Sequence, residues 1–138
     1  MIAYLDSSVL LRIVLRQPNA LKQWPAFEQG IVSALVEVEC LRTLDRLRVT
    51  QGVSDREITL RREAVFRLLE SASVVDLTRA ILRRASQPLP TSVGTLGAIH
   101  LATALLWRER TEENVVMATH DARLAMAARA CGLRTVGV

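Results

Sequence analysis

The apolar positions of this chain fall into two kinds of segment, which alternate from one end to the other. Five short runs have the composition of buried β-strands, at residues 2–5, 30–33, 73–77, 115–119 and 134–138. Between them lie stretches with helical spacing, at 8–16, 18–28, 35–49, 55–71, 78–86, 95–110 and 122–131. This alternation predicts a single α/β domain over residues 1–138, with a mostly parallel sheet of about five strands flanked by helices.

Several helix boundaries carry signals of their own. Ser54 followed by Glu57 has the spacing of a capping box, and Gly132 is a helix-stop signal. The stretch 96–107 is apolar nearly all round, which predicts a helix through the centre of the domain. A polar side chain on that helix needs a buried partner.

Composition limits the class of protein. With 138 residues, 50% of them hydrophobic, the chain can bury roughly two-thirds of its unfolded surface without disulfides or a structural metal. Cys40 and Cys131 lie far apart with no CxxC motif, as a reducing compartment tolerates. Asp6 interrupts the first apolar run, and no segment is long enough to span a membrane. We therefore expect a cytoplasmic protein with no membrane partner.

The net charge of +4 comes almost entirely from arginine, because Lys22 is the only lysine. Arginine is the better bidentate ligand for phosphate, although a GC-rich genome gives the same bias. The few aromatic residues, 4% of the chain, are scattered. That argues against a stacking platform for single-stranded bases, so any RNA would be bound mainly through its phosphates.

Three carboxylates fall where parallel α/β folds bind ligands, at the carboxyl ends of strands near the reversal of strand order. Asp6 directly follows the first strand, Asp121 follows the fourth after one intervening residue, and Glu39 lies early in the helix after the second. Asp6 and Asp121 are equally well placed as helix N-caps. Glu39 could be a solvated helix residue, and Glu37 competes with it, about 200° away around the helix.

A cluster of these acids would need a cation. Two carboxylates at ~5 Å repel each other by about 3 kcal/mol even at an effective dielectric near 20. Carboxylate oxygens without His or Cys partners select Mg²⁺ or Mn²⁺ over zinc. Such an ion can activate water and neutralise phosphate charge, so the pattern favours phosphodiester hydrolysis.

Four segments together resemble a known family: YLDSSVLLR, SALVEVECLRTL, LGAIHLATAL and ATHDARLAMAARACGL, in this order along essentially the whole chain. They are similar to PIN domains, specifically the VapC-type toxins of bacterial toxin-antitoxin modules. The resemblance implies a PIN-like fold and a Mg²⁺- or Mn²⁺-dependent endoribonuclease. It also implies three partners, namely a cognate antitoxin, an RNA substrate and a second copy of the chain in a homodimer. The helix at 55–71 could supply the dimer face.

The same resemblance assigns residues to roles. It places the catalytic, metal-holding acids at Asp6, Glu39 and Asp121, and it is the only ground for preferring Glu39 over Glu37. It implies that the Thr119 hydroxyl contacts a metal-bound water, unless Thr119 is only a strand-end residue. Arg12 is a further position, which either contacts RNA or a partner or is a solvated arginine. His100 also matches the family pattern, and we interpret it as a hydrogen-bonded core histidine.

One expected acid is absent, because Gly97 stands at the family's fourth acidic position while AIHLATA beside it is intact. The resemblance implies that this loss impairs metal affinity and turnover. Three explanations stay open: a substitution introduced to silence a toxic enzyme, which we favour, a natural loss, or a site that works with fewer ligands. A close packing contact or an early helix position is the structural alternative for Gly97.

Two functional hypotheses follow, and a third ranks below them. The first is the endoribonuclease, impaired at Gly97, and the alternative is a catalytically silent PIN-fold module that binds an antitoxin or RNA. A phosphoacceptor or dehalogenase-like domain with Asp6 as nucleophile lacks both a DxD pattern and an obvious catalytic lysine.

Overall fold

The computed structural model describes all 138 residues, in six α-helices and five strands. The strands are β1 (Ile2–Leu5), β2 (Gln29–Ser33), β3 (Ser73–Val75), β4 (Val115–Ala118) and β5 (Arg134–Val136). The helices are α1 (Ser7–Val14), α2 (Leu35–Gln51), α3 (Asp55–Ser71), α4 (Arg79–Ala85), α5 (Thr95–Thr111) and α6 (Ala122–Ala130). The predicted alternation of strands and helices is confirmed.

The five strands form one parallel sheet in the order β3-β2-β1-β4-β5. The chain builds outward from β1 to β2 and β3, then crosses back to place β4 and β5 on the other side. Strand order therefore reverses between β1 and β4, which is where open α/β sheets form a ligand-binding crevice at their carboxyl ends. The predicted fold class is confirmed.

Alternating side chains of β1 divide the core into two layers. In the first core layer Ala3 and Leu5 face α1, α2 and α3, and in the second core layer Tyr4 faces α5 and α6. Burial on both faces explains why the strand has no polar alternation. Tyr4 is completely buried, so its hydroxyl must find a partner inside the protein.

The helix predicted at 18–28 is wrong. The segment contains only a short 3₁₀ turn, Trp24–Ala26. Pro25 accounts for this difference, because a proline inside a helix has no N–H to donate and its ring clashes with the preceding turn. The segment instead packs Trp24 and Phe27 edge-to-face, with ring centroids 6.4 Å apart, against the first core layer.

The predicted boundary signals are confirmed. The Ser54 hydroxyl accepts the Glu57 N–H at 3.2 Å at the start of α3, and Gly132 follows α6 with φ +80°. The interior character of α5 is also confirmed, since residues 100–105 are all buried. No helix combines the length and apolar character that crossing a membrane requires.

Candidate active site

Asp6 lies at the strand reversal, one residue beyond β1, and its side chain is almost completely buried. One carboxylate oxygen accepts the Val9 N–H at 3.3 Å and the Ser8 hydroxyl at 2.5 Å, while the other accepts the Thr119 hydroxyl at 2.6 Å. The Val9 contact makes Asp6 the N-cap of α1, which the sequence predicted as the alternative to a metal ligand. Three donors thus hold a buried carboxylate in one orientation.

Thr119 links the ends of β1 and β4. Its hydroxyl is buried, donates to Asp6 and accepts the Asp121 N–H at 3.0 Å. The one hydroxyl proton is therefore used on Asp6. This contact makes Thr119 a strand-end residue that orients Asp6, and its contact to a metal-bound water stays a prediction.

Asp121 is exposed at the same edge and caps α6. One of its oxygens accepts the N–H groups of Arg123 at 2.9 Å and Leu124 at 3.2 Å, so the N-cap interpretation is confirmed. The other oxygen has no protein partner within hydrogen-bond distance. Capping uses one oxygen, which leaves the second available to a ligand.

We expect Asp121→Ala to lower the free energy of unfolding by about 1 kcal/mol, since alanine cannot accept from the first turn of α6. Asp121→Asn keeps an accepting oxygen and serves as the control, with stability close to the parent. Urea denaturation measures both. A loss of equal size in the two variants would show that charge, rather than the cap, stabilises this end of the helix.

Glu39 is the glutamate that reaches the site. One oxygen accepts the Ser7 hydroxyl at 3.1 Å, and the other lies 2.6 Å from His100 Nε2. Glu37, two residues earlier on α2, is exposed and its side chain forms no hydrogen bond or ion pair. The contacts of Glu39 therefore show which of the two glutamates reaches the site, a choice that helical periodicity alone could not make.

His100 and Tyr4 connect Glu39 to the core. His100 Nδ1 lies 2.7 Å from the Tyr4 hydroxyl, and only 2% of the histidine is exposed. The prediction that His100 is a hydrogen-bonded core residue is confirmed. Tyr4 was missed by the sequence reasoning, although a lone tyrosine in a strand buried on both faces is itself a sign of a polar partner.

The buried carboxylates also change the acidity of their neighbours. Burial, with added repulsion from Glu39 and Asp6, raises the pKa of Cys40 to about 12. Burial and the same two charges raise the pKa of Tyr4 far above its ordinary value. At neutral pH the Cys40 thiol therefore keeps its proton and is a poor nucleophile, and the Tyr4 hydroxyl keeps its proton as well.

The acids suit a divalent ion in type but not in number. Carboxylate oxygens are the ligands that Mg²⁺ and Mn²⁺ prefer. Asp6 directly follows β1, Asp121 is the third residue beyond the end of β4, and Glu39 contacts Ser7 at the start of α1. No three or more His, Cys, Asp or Glu side chains lie close enough to hold a metal, so the expected convergence is incomplete.

Nothing in the structure requires glycine at position 97. A Cβ atom there would lie 3.6 Å from Val93 Cβ and 4.0 Å from Leu124 Cδ1, both ordinary contacts, and the backbone is helical. The alternative of a close packing contact is therefore wrong, whereas that of an early helix position is confirmed, since Gly97 is the third residue of α5. Leu124 lies in the first turn of α6, so position 97 faces the turn that Asp121 caps.

A groove of about 320 Å³ opens beside Glu39. It is lined by Ser7, Leu35, Val38, Glu39, Arg42, Thr43, Arg46 and Leu96. Arg42 lies 3.8 Å from Asp45, and Arg46 reaches the Thr43 hydroxyl only at 3.5 Å, so both guanidinium groups have free donors. The sequence reasoning missed them, although spacings of three and seven residues from Glu39 place all three on one helix face.

Arg12 makes a different contact from the one expected. Its guanidinium donates to the Asn19 carbonyl at 3.3 Å, in the loop that follows α1. The contact holds that loop, and the fit of Arg12 to RNA or a partner stays a prediction.

The PIN domain family model matches residues 3–130. The chain therefore belongs to the PIN-domain family, and by family it is a nuclease, a class of hydrolase. It is 31% identical over 137 residues to Ribonuclease VapC46 of Mycobacterium tuberculosis (strain ATCC 25618 / H37Rv), covering 96% of this chain and 95% of that relative. The resemblance to VapC-type ribonucleases inferred from the four motifs is confirmed.

Solved structures share the fold. A toxin-antitoxin complex from Klebsiella pneumoniae matches with TM-score 0.68 at 16% identity, covering 97% of this chain and 95% of that one. VapBC2 from Rickettsia felis, bound to a DNA fragment from their promoter, matches with TM-score 0.68 at 12% identity, covering 99% and 98%. At this level of identity the likeness concerns the fold alone.

Proposed function

We propose that this protein is a Mg²⁺- or Mn²⁺-dependent endoribonuclease toxin of a toxin-antitoxin module, impaired because Gly97 replaces a metal-binding aspartate. The observation that carries the proposal is the junction of Asp6, Thr119 and Asp121 at the strand reversal, with Glu39 approaching through Ser7. PIN-domain ribonucleases generally depend on a divalent metal ion. A relative named as a ribonuclease at 31% identity supports the same reaction.

In this proposal Asp6, Glu39 and Asp121 hold the ion. When bound, a divalent ion supplies an activated water and neutralises charge on the phosphate. The protein contributes orientation, since Thr119 and Ser8 fix the two oxygens of Asp6. Because these hydroxyls are already in place, no reorganisation of Asp6 is needed when the ion binds.

The groove beside Glu39 suits an RNA strand bound by its phosphates. Arg42 and Arg46 are one helical turn apart and exposed to solvent, and both have free donors that match phosphate oxygens. Arg12 is a further candidate contact to RNA or to an acidic segment of a partner.

We expect Arg42→Gln with Arg46→Gln to weaken binding of single-stranded RNA and to reduce the salt dependence of the binding constant. The slope of log K against log salt is negative, and loss of two phosphate contacts makes it less steep by about 1.4. Filter binding in EDTA, which prevents cleavage, measures it. Arg62→Gln with Arg67→Gln removes two exposed arginines from α3 and serves as the control. Equal changes in both pairs would contradict a role for the groove.

The proposed partners are a cognate antitoxin and a second copy of this chain, in the cytoplasm. The matched structure from Klebsiella pneumoniae is a toxin-antitoxin complex, which supports an antitoxin partner. On α3, Leu60 and Phe66 are 46% and 40% exposed, a pattern that suits the predicted dimer face.

The alternative function is a catalytically silent module that binds an antitoxin or RNA. The absence of any group of three potential metal ligands favours it for the chain as it stands. Incubation with total RNA in Mn²⁺ or EDTA distinguishes the two. Cleavage in Mn²⁺ but not in EDTA supports the enzyme. Binding without cleavage in both conditions supports the module. A chain that neither cleaves RNA nor binds RNA or an antitoxin contradicts both functions.

A further inference from the structure

A line of hydrogen bonds joins the core to the acidic site. The Tyr4 hydroxyl lies 2.7 Å from His100 Nδ1, His100 Nε2 lies 2.6 Å from one Glu39 oxygen, and Ser7 donates to the other at 3.1 Å. We propose that Tyr4 and His100 are positioning residues that fix the orientation of the Glu39 carboxylate at the acidic site. The inference rests on the proposed function of the acidic site.

The order of donors and acceptors in the line is determined by its ends. An ionised carboxylate only accepts, so His100 Nε2 must carry the proton shared with Glu39. In the neutral imidazole Nδ1 is then an acceptor, and it can receive the Tyr4 O–H. The high pKa that burial gives Tyr4 keeps this hydroxyl protonated. Each group therefore fixes the tautomer or orientation of the next.

Tyr4 and His100 are held rigidly, because both are buried and both lie in regular secondary structure. Tyr4 is completely buried on β1 and His100 is 2% exposed on α5, both inside the second core layer. Glu39 is only partly buried and lines the open groove on α2. Without the histidine, Ser7 would be the only side chain bound to a flexible glutamate, and ordering it would cost rotamer entropy at the moment of ion binding.

A purely structural role does not explain the arrangement as well. A tyrosine and a histidine inside an apolar layer each cost free energy unless they are hydrogen-bonded. His100 has only two ring nitrogens, and the second is satisfied by Glu39 rather than by a backbone carbonyl. The end point of the line is therefore the acidic site.

The first test observes the hydrogen bonds of His100 directly, without metal, in the chain with Gly97. ¹⁵N NMR of the histidine side chains should show His100 protonated at Nε2 and not at Nδ1, and Tyr4→Phe should shift its Nδ1 resonance. His120 is an internal control, because its Nδ1 pairs instead with the Gly137 carbonyl. A His100 protonated at Nδ1 alone, or unmoved by Tyr4→Phe, would overturn the proposal.

The second test measures Mn²⁺ affinity by calorimetry in the Gly97→Asp background. Loss of a group that orients a metal ligand typically weakens affinity about 10-fold to 100-fold. We expect that loss for His100→Phe, and a smaller one for Tyr4→Phe. His100→Gln keeps an N–H donor for Glu39 and should recover part of the affinity, while its thermal stability falls as in His100→Phe.

The outcomes separate this inference from the proposed function. If Glu39→Gln weakens Mn²⁺ binding while His100→Phe and Tyr4→Phe leave it unchanged, the positioning role is wrong and the metal site stands. If His100→Gln recovers stability rather than affinity, the role is structural and the proposal fails. If the Gly97→Asp protein binds no Mn²⁺, the proposed function fails, and the NMR result alone decides the positioning of Glu39.

Discussion

Replacing Gly97 with aspartate is expected to raise Mg²⁺- or Mn²⁺-dependent cleavage of RNA at least about tenfold, a change of about 1.4 kcal/mol in the barrier. A carboxylate at this position faces the first turn of α6, whose N-cap is Asp121. It would add a fourth carboxylate to the proposed site of Asp6, Glu39 and Asp121. A Cβ fits there without displacing Val93 or Leu124. Gel analysis of total RNA with Mn²⁺ and with EDTA measures the effect.

Two matched variants isolate the carboxylate from the loss of glycine. Gly97→Asn adds a side chain of the same size without charge, and Gly97→Ala removes the helix cost of glycine, about 1 kcal/mol. Both should raise the stability of α5, or leave it unchanged, without raising cleavage. Activity gained equally by all three variants would mean that helix stability, rather than a metal ligand, limits the reaction.

Asp6→Asn in the Gly97→Asp background is expected to lower cleavage by about 100-fold or more, as removal of a preorganised electrostatic group does in other enzymes. Asparagine has the same shape and caps helices as well as aspartate does, so α1 should still begin at Ser7. The negative charge available to an ion is lost. Single-turnover cleavage rates and thermal melting, measured on the same samples, separate activity from folding.

Glu37→Gln is the control for this loss of charge. Glu37 is an exposed acid on α2, close in sequence to Glu39 but without its contacts. Its removal should leave cleavage within about twofold, because an exposed charge is screened by solvent and salt. Comparable loss from Glu37→Gln and Asp6→Asn would indicate that cleavage falls with the loss of any carboxylate in this region, and would contradict a specific role for Asp6.

Local patterns predicted most of the fold because each element agrees with its neighbours. The strand-helix alternation, the Ser54 cap and the stop at Gly132 all match the structure. The failure at 18–28 came from giving apolar spacing more weight than Pro25, which removes an N–H donor that the interior of a helix needs. Strand order could not be predicted from the pattern, since pairing of β1 with β4 joins segments more than a hundred residues apart.

The candidate site was only partly predictable for a similar reason. Asp6 directly follows β1 and Asp121 lies three residues beyond β4, so their places at the sheet edge come from topology. The choice of Glu39 depends on contacts from α1 and α5, which helical periodicity does not contain. Tyr4 and His100 lie 96 positions apart, and only the packing of β1 against α5 brings them together.

The most direct measurement is calorimetric titration of Mn²⁺ into the chain with Gly97 and into its Gly97→Asp variant. The proposed site is one carboxylate short, so we predict at least tenfold tighter binding, about 1.4 kcal/mol, in the variant. Asp6→Asn should abolish that gain. Equal affinity of the two proteins, or a gain that survives Asp6→Asn, would contradict a metal centre built on Asp6, Glu39 and Asp121.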